Sequence, residues 1–92
     1  MTEDQAYELL NRIFADVFGR GDIVLEPALT ARDVVGWDSF RQVEIIMAIE
    51  EALGFRFTSR EIDGLQNVGD LAKVMLSRAN AATGGKPASH AP

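Results

Sequence analysis

The chain contains no cysteine. Disulfides, a thiolate nucleophile and cysteine-based metal sites are therefore excluded. Its one histidine, His90, lies close to the end, so a histidine metal cluster or a catalytic histidine dyad within one chain is excluded as well. No apolar run is long enough to span a membrane. The opening Met1-Thr2-Glu3-Asp4 is acidic, unlike a signal or transit peptide, and the cytoplasm is the expected compartment. Basic residues are in the minority: 9 Lys and Arg stand against 14 Asp and Glu, a formal net charge of −5. Nucleic acid is not an expected partner, because phosphate contacts need concentrated Lys and Arg. Basic protein partners agree better with this balance, although acidity also serves solubility alone.

What remains is 92 residues with 47% hydrophobic content, enough for one small domain with one core. Thr2 caps a first helix, with Gln5 at the capping-box position. Tyr7, Leu10, Phe14, Val17 and Phe18 recur at helical spacing, and Ala6, Leu9 and Ile13 widen that stripe. Gly19-Arg20-Gly21 ends the helix. From Asp22 to Gly36 the apolar residues are irregularly spaced and Pro27 interrupts them. This reads as a long loop packed on the core, with a short turn near Ala31 to Val34.

A second helix is expected from about Ser39 to Leu53, burying Ile45, Ile46, Ile49 and Leu53. Val43 and Met47, with Glu44, Glu50 and Glu51, are left at its surface. Apolar residues ringed by charge suit a transient protein partner; an ordinary solvated face is the simpler alternative. Gly54 stops this helix, and Phe55 and Phe57 follow as inward aromatics. Thr58-x-x-Glu61 caps a short helix that Gly64 limits. Asn67 caps a last helix with Val68, Leu71, Ala72, Val74 and Met75 on its apolar face, fading near Arg78. Residues 80–92 are rich in Ala, Gly, Pro and Ser and are expected to form a disordered tail. The layout predicts an all-α fold: a small bundle of three longer helices and one short one, with a long loop between the first two.

Chemistry concentrates at Gly36-Trp37-Asp38-Ser39-Phe40. Asp38 and Ser39 are both good N-cap types. Ser39 should sit at, or one residue inside, a helix start, where an attached anion is favoured by the dipole and by free N–H donors. Ser39-x-x-Gln42 also fits a capping box, and capping is the ordinary role of such a serine. An enzyme is not expected: no ordered base stands beside a nucleophile, and Glu50 and Glu51 are adjacent, so they diverge around a helix.

This stretch, with Val43 to Glu51, Leu53-Gly54-Phe55 and Val68-Gly69-Asp70-Leu71, resembles the acyl carrier protein family over roughly Glu3 to Met75. The resemblance implies a carrier domain at residues 1–79, with 4′-phosphopantetheine attached covalently to Ser39 from coenzyme A by a phosphopantetheinyl transferase. It implies acyl groups carried as thioesters in fatty-acid, lipid or polyketide-type biosynthesis, a monomer, and transient acyl-loading and acyl-processing enzymes as partners. Asp38 would assist cofactor attachment. Trp37, Phe40, Arg41, Val43, Glu44, Met47, Glu50, Glu51 and Arg60 would meet partners. A core lined by Ile46, Ile49, Phe57, Ile62 and Leu71 would be the place to shelter an acyl chain. Some positions depart from the family's usual pattern. Arg41, Arg56 and Arg60 stand where acidic residues are common, Phe40 follows the serine, and Gly36-Trp37 is not the Gly-Gly of peptidyl carriers. A specialised carrier is therefore expected. The alternative is an unmodified helical interaction module in which Ser39 only caps.

Overall fold

The computed structural model describes residues 1–84, with side chains through residue 80. Four α-helices follow in order: α1 (Glu3–Phe18), α2 (Ser39–Leu53), α3 (Ser59–Asp63) and α4 (Val68–Gly84). A 3₁₀ turn at Ala31–Asp33 interrupts the long α1–α2 loop. Among the described residues there is no strand. The fold is the expected all-helical bundle of three longer helices and one short one.

Local signals set the helix starts. Thr2 accepts the N–H of Gln5, and the Gln5 side chain returns the bond to the N–H of Thr2. Thr58 and Glu61 do the same for α3. Asn67 caps α4 by accepting the N–H of Asp70 at 2.8 Å. Gly54 closes α2 with φ of 74°, a left-handed conformation that costs a side-chain-bearing residue about 1–2 kcal/mol.

The core gathers α1, α2 and α4. Leu10, Phe14, Ile45, Ile49, Val68, Leu71 and Met75 are its largest fully buried side chains. Each stabilises the fold by about 1.5–3 kcal/mol relative to an exposed side chain. Leu53, expected in this core, packs half-buried at its edge. The long loop is pinned at both flanks. Val34 is buried, and the Asp33 carboxylate accepts both the N–H and the hydroxyl of Thr30. Further along, the carbonyls of Leu29 and Pro27 accept the first N–H groups of α4, from Val68 and Gly69, at 2.9 Å each. The loop thereby satisfies backbone donors that a helix start leaves free.

Arg78 joins three segments. Its guanidinium donates to both carboxylate oxygens of Glu61 in α3, at 2.7 and 2.9 Å, and to the carbonyl of Arg56, while lying 5.0 Å over the Phe55 ring. The N–H of Thr58 holds the Glu61 carboxyl below its usual range, aided by Arg78 and opposed by desolvation.

One expectation is corrected at the C-terminal end. The last helix does not fade at Arg78 but continues to Gly84, so residues 80–84 are helical rather than tail. Ala79, Ala81 and Ala82 are strong helix formers, and the Met1 ammonium donates to Asn80 at 2.9 Å. The rest of the expected tail, residues 85–92, lies outside the described residues.

Candidate functional site

The site forms where the long loop enters α2. Gly36 takes φ of 92° and turns the chain so that Trp37 folds back onto α1. The indole meets Phe14 edge-on at 5.1 Å and Phe18 at 6.3 Å between ring centroids. Its Nε1–H donates to Oε1 of Gln42 at 2.7 Å. Asp38 is then the N-cap, and its carboxylate accepts the N–H of Arg41 at 2.9 Å.

This arrangement corrects the capping-box reading of Ser39 and Gln42. Asp38 already occupies the cap, and the Gln42 oxygen is taken by Trp37. Ser39 is the first helical residue and is exposed. Among the described residues its hydroxyl has no hydrogen-bond partner. The hydroxyl sits at the positive end of a helix with no acidic residue in its first turn. A covalently attached phosphate fits there, because the dipole and free N–H groups favour an anion by about 0.3–1 kcal/mol when exposed.

A cleft of about 340 Å³ opens beside Ser39. Trp37, Ile62, Leu65 and Leu71 supply its apolar lining, and Asp38, Gln42, Gln66 and Asn67 its polar lining. Of the residues expected to shelter an acyl chain, Ile46, Ile49, Phe57 and Leu71 are buried in the core. Ile62 is not: it is 37% exposed and lines this cleft instead.

The remaining predicted residues divide. Phe40, Val43 and Met47 are exposed, at 66%, 52% and 61%, and their spacing makes one outward stripe on α2 starting beside Ser39. Arg41 lies 5.7 Å over the Phe40 ring and pairs with Glu44 at 2.8 Å. Glu51 and Arg60 are exposed. Glu50 is committed elsewhere: its carboxylate accepts the N–H of Phe57 at 2.8 Å, tying α2 to the following linker. Trp37 is likewise a half-buried prop of the helix start. Sequence reasoning missed Leu65, Gln66 and Asn67 as neighbours of Ser39. No local pattern marks them, because they share the cleft with Ser39 through the tertiary fold and not through sequence proximity.

Among the described residues no cluster of His, Cys, Asp or Glu could hold a metal ion, and no helix is long and apolar enough to cross a membrane. Fold and site together define a small helical carrier protein. Residues 8–75 match the family described as "Phosphopantetheine attachment site", and the chain belongs to that family, the one that includes acyl carrier proteins. It is similar to an acyl carrier protein of Saccharopolyspora erythraea, with 24% identity over 76 residues, 83% of this chain and 80% of the relative. Its fold is similar to the solution structure of the holo acyl carrier protein of Geobacter metallireducens. That match has a TM-score of 0.82 and 29% identity, covering 92% of this chain and 98% of the other. The chain is a carrier and not an enzyme, and its cofactor is covalently attached 4′-phosphopantetheine.

Proposed function

We infer that Ser39 is the attachment residue and that the chain carries acyl groups for a dedicated set of enzymes. The observation that carries this reading is the division of labour at the start of α2. Asp38 caps, so the Ser39 hydroxyl is exposed and uncommitted. A serine that only caps would spend its oxygen on a first-turn N–H; here that bond belongs to Asp38, which weighs against an unmodified module.

Ser39 Oγ accepts the phosphopantetheinyl group from coenzyme A on a separate transferase. Once attached, the group supplies a thiol that holds acyl cargo as a thioester. The chain's own residues do the rest. The start of α2 stabilises the phosphodiester charge, and Asp38 holds that helix start in register. Phe40, Val43 and Met47 offer partner enzymes an apolar strip to grip briefly, flanked by Arg41, Glu44 and Glu51, with the exposed Arg60 of α3 as a further partner contact. Arg41 and Arg60 give this surface mixed charge, which suits a specialised carrier with its own enzymes. The carrier domain occupies residues 1–79, closed by a helix that runs on to Gly84. The protein acts in the cytoplasm, and as a monomer, since the buried faces of α1, α2 and α4 meet within one bundle and the outward strip of α2 is left for transient partners.

Intact mass before and after incubation with coenzyme A and a broad-specificity transferase tests the assignment. The wild type is expected to gain one phosphopantetheine, and Ser39→Ala none. A gain on the folded Ser39→Ala variant would remove Ser39 from the role.

A further inference from the structure

Val34 and Val35 are neighbours with opposite environments. Val34 is buried, whereas Val35 is 85% exposed, more than any other large apolar side chain among the described residues. A tight turn separates them. The Trp37 N–H donates to the Val34 carbonyl at 3.2 Å, and Gly36, with φ of 92°, takes the second central position of the turn. Such a turn asks for glycine there, but at the first central position, where Val35 sits, it accepts most residues and favours proline. The turn therefore gives no reason for a valine at its tip, and the core, which Val35 does not join, gives none either.

The tip is held in place from both sides. Val34 is anchored in the protein interior, and Trp37 packs on Phe14 and Phe18 and bonds to Gln42. A β-branched side chain is itself stiff about χ1, so little freedom is lost when a partner covers it. Its position says which partner that is. Val35 precedes Ser39 by four residues, so their Cα atoms lie at most about 15 Å apart, and the turn brings them nearer. An interface of ordinary size covers about 800 Å² on each partner, a patch roughly 16 Å in radius. An enzyme that transfers a group to the Ser39 hydroxyl must enclose that hydroxyl, and its footprint then reaches Val35 before the serine as well as the exposed Phe40 after it. We propose that Val35 is a recognition residue for the transferase that modifies Ser39, seated in an apolar depression on that enzyme. The inference rests on Ser39 as the attachment residue, and it extends the docking surface from the α2 strip onto the preceding loop.

The test is steady-state kinetics with coenzyme A and a broad-specificity phosphopantetheinyl transferase on Val35→Ala, Val35→Thr and Val35→Asp. Val24→Ala, at the other exposed loop valine, is the control. Val35→Thr keeps the branch at Cβ and exchanges one methyl for a hydroxyl. Loss of two buried methyls should raise the KM for the carrier in Val35→Ala roughly 3- to 15-fold. Val35→Thr should also raise it, and Val35→Asp should raise it by roughly tenfold or more. The KM for coenzyme A, the melting temperature and the emission of the single tryptophan should match wild type, whereas a purely structural role in the turn would move the last two. Carrier KM values for Val35→Ala and Val35→Asp equal to that of Val24→Ala would overturn the inference and leave the attachment site standing. So would a raised KM accompanied by a lower melting temperature or shifted emission. Mass spectrometry on the same samples reports attachment. A wild type that gains no phosphopantetheine would instead overturn the assignment of Ser39, and this inference with it.

Discussion

The Trp37 indole donates to the Gln42 side chain at 2.7 Å, spanning the cap residue Asp38 and the exposed Ser39. This bond joins the incoming loop to the first turn of α2, and the indole is anchored from behind by Phe14 and Phe18. It should behave as a structural clasp. Gln42→Leu leaves the indole N–H without its acceptor and should cost about 1–3 kcal/mol. Gln42→Glu retains an oxygen and should cost less. Urea denaturation followed by fluorescence of the single tryptophan measures both. Equal stability of the two variants would mean that the bond does not hold the helix start.

Asp38 and Ser39 should separate stability from modification. Asp38→Ala removes the bond to the N–H of Arg41 and is expected to cost about 0.5–2 kcal/mol, the usual loss for an N-cap. Ser39→Ala removes an exposed hydroxyl that caps nothing, and its stability should stay within about 0.5 kcal/mol of wild type. Thermal melts of the two unmodified variants decide the matter. A larger loss for Ser39→Ala than for Asp38→Ala would reverse the assignment of the cap.

Much of this was legible in the sequence because helix boundaries are set by neighbours in the chain. Thr2 with Gln5, Thr58 with Glu61, and Gly54 after Leu53 all form the local devices their spacing predicts. The choice between Asp38 and Ser39 as cap was not legible. Both side chains suit the position, and the phase is set by Trp37 packing on α1, a contact remote in sequence. The cleft was hidden for the same reason. Leu65, Gln66 and Asn67 line the same cleft as Ser39 although they are distant from it in sequence, and backbone bonds tie the adjoining start of α4 to the loop at Pro27 and Leu29.

The stripe on α2 predicts a defect in partner recognition without a defect in folding. Met47 is 61% exposed, so Met47→Asp should shift stability by no more than about 0.5 kcal/mol. If the stripe is gripped, transferase kcat/KM should fall roughly fivefold or more, the effect of losing about 1 kcal/mol of interface energy. Val24→Asp, at another exposed apolar residue, here in the α1–α2 loop, serves as the control. Equal transferase kinetics for Met47→Asp and the control would remove Met47 from this interface.

Gly69 predicts a tight joint between loop and helix. A Cβ at this position would lie 3.0 Å from the Pro27 carbonyl oxygen and 3.2 Å from both the Pro27 Cβ and the Asn67 Oδ1. The carbonyl also accepts the Gly69 N–H at 2.9 Å, so it cannot retreat without weakening that bond. Alanine offers up to about 1 kcal/mol in helix propensity, but overpacking costs about 1–3 kcal/mol. Gly69→Ala should therefore destabilise the fold and loosen the Pro27 segment, seen as faster amide exchange at Gly69 and Val68. A variant as stable as wild type, with unchanged exchange, would show that the loop yields easily.

Acid should weaken the joint between α3 and α4. The Glu61 carboxyl is held below its usual range first by the Thr58 N–H and then by Arg78. A depressed carboxyl contributes stability that is fully present above its unfolded-state pKa, near 4.3 for an ordinary glutamate. That stability is lost as the pH falls through the lower folded-state value. Glu61→Gln keeps an oxygen for the Thr58 N–H but loses the charge that Arg78 grips with two bonds. The stability difference between wild type and Glu61→Gln should be flat from neutral pH down to about pH 5 and shrink below about pH 4. Denaturant titrations across that range measure it. A difference that stayed constant or grew in acid would contradict the assignment, because protonation removes from the wild type the same charge that the substitution deletes.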